Sequence, residues 1–238
     1  MNTLNKLQII ALSGFLLTAT ACSSLSKNGE NTPSSSTTTT APIFTASSDP
    51  RADVIKSMKA SLNAKSFRER VTTINSDGGK VNATIEFVAP NRAHITTAVG
   101  LSDGSIVKTE MIIADKDSYR KNGDAPWQKS QMDMGDFLTQ FRDPKIIDSI
   151  TEKAEVKYIG ADTLDGVPML VYQYTIKDLL GKGNIMVTKS WIGAIDGLPH
   201  QTESESDMDL GTGEMIHSKS TIVYYDYNAD IKIEPPTL

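Results

Sequence analysis

The chain changes its hydrophobic period repeatedly. Over residues 53–62, Val54, Ile55, Met58 and Leu62 recur at helical spacing, which predicts an amphipathic helix with one apolar side. Beyond it the period becomes two. Residues 67–74 read as a strand, Asp77-Gly78-Gly79 as a turn and residues 80–89 as the next strand. That second strand puts Val81, Ala83, Ile85 and Phe87 on one face and Asn82, Thr84 and Glu86 on the other. Pro90-Asn91 ends it. Residues 94–99, 106–113 and 118–121 follow as short strands, and Ala125-Pro126-Trp127-Gln128 opens another strand or a loop. Helical spacing then returns, with Met134, Phe137, Leu138 and Phe141 on one side of a turn-by-turn stripe. Asp143-Pro144 supplies an N-cap and a first-turn proline for a second short helix carrying Ile146, Ile147 and Ile150. Strands resume over 156–162, 169–176, 185–192, 200–208 and 214–227, separated by Asp165-Gly166, Gly181-Lys182-Gly183, Asp196-Gly197 and Gly211-Thr212-Gly213. Residues 230–234 read as a last short strand before Pro235-Pro236.

No stretch alternates strands with long helices, which excludes a parallel α/β sheet. The pattern predicts an α+β protein, mainly antiparallel β: one strongly curved sheet with the helices laid against one face, so that sheet and helices bury each other's apolar sides.

The N-terminus has a different chemistry. A basic start at Lys6, an apolar run over 7–19 and the small residues Ala19-Thr20-Ala21 before Cys22 read as a signal peptide over 1–21. A cysteine in that place is the bacterial lipobox pattern, in which the Cys22 thiol is acylated and anchors the mature protein. The apolar run, broken by Ser13 and Gly14, falls short of the about 20 residues a bilayer span needs. Residues 22–50 hold Pro33-Ser34-Ser35-Ser36 and Thr37 to Thr40 with little to bury, so they read as a flexible linker of typical span roughly 30 Å. Residues 51–238 remain for a single domain.

Composition narrows the partners. The net charge is −5, which argues against nucleic acid and against a polybasic contact with anionic lipid. Cys22 is the only cysteine, so with its thiol acylated no disulfide or redox centre is available. HExxH and Walker motifs are absent, and His94, His200 and His217 fall on separate strands with neither metal nor triad spacing. Glu203, Glu205, Asp207 and Asp209 share one strand face; such a row could hold calcium, but reads better as a solvated outer face that discourages edge pairing. No catalytic residue, metal or cofactor is expected.

Specific wording appears from Lys189: Lys189-Ser190-Trp191-Ile192 on a strand, Asp196-Gly197-Leu198-Pro199 at a turn, and a closing Tyr224-Tyr225-Asp226-Tyr227-Asn228-Ala229-Asp230. Together with the opening helix and strand over 54–67 and the segment 111–128, this resembles the outer-membrane lipoprotein carrier (LolA-like) superfamily, which includes LppX/LprG-type lipoproteins and the sensor domains of RseB-type regulators. The resemblance implies an unclosed barrel, a half-barrel whose concave apolar face is covered by helices and accepts acyl chains. The periplasmic carrier is soluble and unacylated, so Cys22 sets this chain nearer the anchored relatives. Candidate groove residues are Val54, Met58, Phe137, Leu138 and Ile147 from the helices, and Val81, Ile85, Phe87, Leu170, Tyr172, Tyr174 and Ile176 from the strands, with Trp191 at the border. The same stripes would equally serve an ordinary filled core. The expectation is a non-enzymatic bacterial envelope lipoprotein, held at the periplasmic side of the outer membrane, that binds or carries a lipid or a lipoprotein's acyl chain. The alternative is an envelope sensor that uses the same scaffold to bind a protein partner.

Overall fold

The computed structural model describes residues 44–101, 103–130, 134–178, 181–209 and 215–238, with Phe137 and Phe141 defined by backbone alone. Cys22, the signal-peptide segment and most of the linker lie outside these residues. Among the described residues, three helices, α1 (Pro50–Ser61), α2 (Met134–Phe141) and α3 (Pro144–Glu152), accompany eleven strands. The strands are β1 (Ser66–Asn75), β2 (Lys80–Val88), β3 (Arg92–Gly100), β4 (Ile106–Ala114), β5 (Asp117–Asn122), β6 (Gln128–Lys129), β7 (Glu155–Leu164), β8 (Val167–Lys177), β9 (Ile185–Gly193), β10 (Pro199–Asp209) and β11 (Met215–Tyr225).

All eleven form one antiparallel sheet in the order β6-β5-β4-β3-β2-β1-β11-β10-β9-β8-β7. Two meanders, β1 to β6 and β7 to β11, thus meet where the first strand pairs the last, Arg68 opposite Tyr225 and Asn75 opposite Ser218. Neither end of the order returns to the other, so the curved sheet is an unclosed half-barrel. Bulges at Tyr158/Gly160 and Pro199/Gln201 add local bending.

Local chemistry sets the element ends. Asp49 caps α1 by accepting from the backbone N–H groups of Arg51 and Ala52, with Pro50 in the first turn. Asp143 caps α3 the same way through Lys145 N–H, as its sequence predicts. The β7–β8 hairpin turns on Asp165 and Gly166, both at positive φ, the two-residue geometry whose twist matches the strands. Residues 230–234, expected as a strand, are irregular; Ile231 and Ile233 are nonetheless buried, so their alternation reports packing without a ladder. The domain also starts earlier than residue 51. Phe44 is buried, donates its N–H to Ala194 O, and lies against Gly197, whose positive φ and lack of Cβ both suit the contact.

Two apolar clusters fill the inner face. One joins Phe67, Val71, Ile85, Phe87, Ile113 and Tyr224 to Leu138 of α2. The other joins Tyr172, Tyr174, Ile176 and Ile192 to Val54 and Met58 of α1 and Ile147 of α3. The helices therefore cover the concave side of the sheet.

Candidate functional site

The site is this inner face. On β2, period two turns Val81, Ile85 and Phe87 inward, each at most 2% exposed. On β8, Tyr172, Tyr174 and Ile176 turn inward with Leu170 partly covered beside them. Val54 and Met58 descend from α1, Leu138 from α2 and Ile147 from α3. The structure thus brings together eleven of the thirteen candidates, from helices and strands alike. The side chain of Phe137 lies outside the described residues. Trp191 points the other way: it packs with Met169 and Val171 on the outer face, under Lys189, and donates Nε1–H to Asp162 at 3.0 Å. Its strand neighbours Ser190 and Ile192 face inward, so the one-residue alternation of a strand removes Trp191 from the groove.

The described side chains of the inner face are closely packed around one small gap beneath α1. Between α1 and strands β8 to β11, a cavity of about 20 Å³ is lined by Val54, Ser57, Met58, Tyr174, Ser190, Ile192, Pro199, Thr202 and Tyr224. That is room for about one water molecule and none for an acyl chain. The described groove candidates pack on one another and on the helices.

Several polar side chains share this interior. Tyr172 OH donates to Asp53 of α1 at 2.9 Å, and burial together with that bond raises its pKa. Thr73 Oγ1 and Ser220 Oγ lie 2.8 Å apart, as do Ser218 Oγ and Asn75 Oδ1. Arg142, between α2 and α3, is buried with its guanidinium 4.1 Å over the Phe87 ring and donates Nη2–H to Leu62 O. Glu69 of β1 is fully buried among these groups, and burial pushes its carboxyl up to about 8 against the lowering field of Arg142. Sequence reasoning missed Glu69, although its place between Phe67 and Val71 on the inward side of a period-two strand marked it.

The outer face behaves otherwise. Arg68 bonds both Glu86 and Asp226 at 2.7 Å, His94 sits 2.8 Å from Glu110 and 3.3 Å from Glu86, and Lys121 reaches Glu110. The carboxylate row on β10 also faces outward, with Glu205 paired to Lys219 and Asp207 to His217. Among the described residues no group of three or more His, Cys, Asp or Glu could hold a metal ion, and no helix is long and apolar enough to cross a membrane.

No family model and no curated protein matches the sequence. Solved structures do match. The Mycobacterium tuberculosis lipoprotein LppX aligns at TM-score 0.51 and 14% identity over 77% of this chain and 97% of its own. MucB in complex with the periplasmic part of MucA aligns at TM-score 0.30 and 14% identity, covering 76% of this chain and 58% of that one. A LolA superfamily protein from Nitrosomonas europaea aligns at TM-score 0.24 and 12% identity, covering 71% of this chain and 87% of that one. The last two are too loose to superpose residue on residue. From strand order, inner-face helices and the LppX alignment together, the chain has an unclosed half-barrel fold similar to that of LppX.

Proposed function

We propose that this protein is a non-enzymatic lipoprotein of the bacterial envelope, anchored through acylated Cys22 at the periplasmic side of the outer membrane, which holds a lipid or a lipoprotein's acyl chain against its inner face. The observation that carries the reading is the cover on that face. Phe67, Ile85 and Phe87 form one apolar patch and Tyr174 and Ile192 belong to a second, and short helices of 12, 8 and 9 residues close them in place of a second sheet. Separating short helices from a sheet exposes apolar area that a guest hydrocarbon can re-cover, at about 0.8 kcal/mol for each methylene buried. Because the cavity beneath α1 has room for only about one water, a guest that enters there moves α1 off the sheet.

Native mass spectrometry of the mature protein, purified without detergent and then offered a sixteen-carbon acyl probe, tests this. Co-purifying lipid or stoichiometric probe capture supports it; a protein that carries neither overturns it. The filled interior favours a second reading, a partner-binding module that never opens, and that empty result is the outcome it expects.

A further inference from the structure

Two polar side chains on the inner face lack the partners such groups ordinarily have. Both carboxyl oxygens of Glu69 and the hydroxyl of Ser57 are sealed from solvent without a hydrogen bond. Buried polar atoms are almost always bonded, and one left unmade is strongly destabilising. One such group could be a local accident. These two sit on different elements, and Tyr224 links them. Ser57 comes down from α1 onto the cavity whose wall includes Tyr224, and Tyr224 is the direct cross-strand neighbour of Glu69. The hydroxyls of Ser190 and Thr202 border the same cavity, which is otherwise walled by Val54, Met58 and Ile192.

We infer that this spot is the subsite for the polar end of the guest, and that the head it takes is neutral and hydroxyl-bearing, as in a monoacylglycerol. The inference rests on the acyl-binding reading and adds the chemistry of the head to it. A hydroxyl donates and accepts at once, so it satisfies a carboxyl and a serine together. A bare hydrocarbon leaves both unpaired. An ionised head would surrender its hydration on entering a wall that is mainly apolar. Burial keeps the proton on Glu69 at neutral pH, so the side chain offers an O–H donor and a C=O acceptor. Arg142, Tyr224 and Tyr227 are the other titratable groups whose charge is felt there.

The test is competition between a monoacylglycerol, the methyl ester of the same fatty acid and the free acid, each offered to the detergent-free protein and read by native mass spectrometry. The wild type is expected to prefer the monoacylglycerol to the methyl ester about tenfold, the discrimination a site built for hydrogen bonding makes against a ligand that lacks the groups. Glu69→Leu removes the orphan carboxyl without emptying the space; it is expected to fold, to bind the ester, and to lose the preference to within about twofold. Ser57→Ala is expected to lose part of it. Equal retention of monoacylglycerol and ester by the wild type, an undiminished preference in Glu69→Leu, or stronger retention of the free acid overturns the inference while leaving acyl binding standing. Failure to bind any of the three overturns both.

Discussion

Glu69 and Glu86 lie on neighbouring strands and look out on opposite worlds. Glu69 pairs in register with Ile85, one residue from Glu86, so the distance between them is that of a single ladder step. Glu86 faces outward, three-quarters covered, where partial burial would push its carboxyl up but bonds from Arg68 and His94 outweigh it and hold the carboxyl below its ordinary range. Glu69 faces inward, where burial dominates and Arg142 compensates only in part. The residue type is the same, and the side of the sheet decides its chemistry. The outer face pairs Glu86 with Arg68 and His94; the inner face tolerates an unsatisfied carboxyl, which is the kind of defect retained where a site needs it.

The largest expected effect breaks the inner half of that comparison. The Glu69 carboxyl has a folded pKa near 8 against 4.5 for the free side chain. Below 4.5 both folded and unfolded chains hold the proton and the group is neutral to stability. As pH rises, the unfolded chain releases it first, so stability falls until the folded pKa is reached. Over that window the loss is on the order of 5 kcal/mol, at about 1.4 kcal/mol per pH unit. Urea melts of wild type and Glu69→Gln at pH 5, 6.5 and 8 should show the difference between them shrinking towards acid and widening towards pH 8, with the variant the more stable there. A difference that is flat with pH would show that Glu69 keeps its ordinary pKa.

The next effect comes from one residue beyond Glu86. Phe87 turns back to the inner face, 1% exposed, stacked on Phe67 at a centroid distance of 5.1 Å and capped by Arg142. Phe87→Ala should cost about 3–5 kcal/mol through lost burial and the cavity left behind, measured by the same melts. The variant also enlarges the interior, so any acyl probe captured by the wild type should be captured more readily. A loss under about 1 kcal/mol would mean that this part of the inner face is loosely packed.

Much of this was readable in the chain. Period two assigned Val81, Ile85 and Phe87 to one face because β2 alternates without interruption, and the i, i+3, i+4 stripe of α2 together with the Asp143-Pro144 start of α3 located both helices. Three features were not readable. Trp191 reads in the sequence as a border residue of the groove, but face is fixed by parity, and Ser190 and Ile192 take the inward positions on β9. The short tail at 230–234 alternates like a strand, yet its register finds no ladder partner among the described residues. The filled interior depends on how eleven strands curve, a property of the whole sheet that no local pattern carries. Glu69 sits between these cases. Its inward parity was on the page, and its lack of a partner required the positions of every neighbour.

The smallest effect tests the outer half. Glu86 holds its proton less tightly in the folded chain than in the unfolded one, so its contribution is present above the ordinary carboxylate pKa and is lost as pH falls through the lowered folded value. Solvent reaches a quarter of its side chain, so screening applies. Glu86→Gln should therefore cost only about 0.2–1 kcal/mol at neutral pH, progressively less as pH falls through the lowered folded value, and less in molar salt than in dilute buffer. This dependence has the opposite pH sign to that of Glu69. If Glu86→Gln were instead to cost several kcal/mol at neutral pH regardless of salt, the Arg68, Glu86 and His94 cluster would be a buried network in its energetics. The contrast between the two faces would then be one of pairing alone and no longer one of solvent.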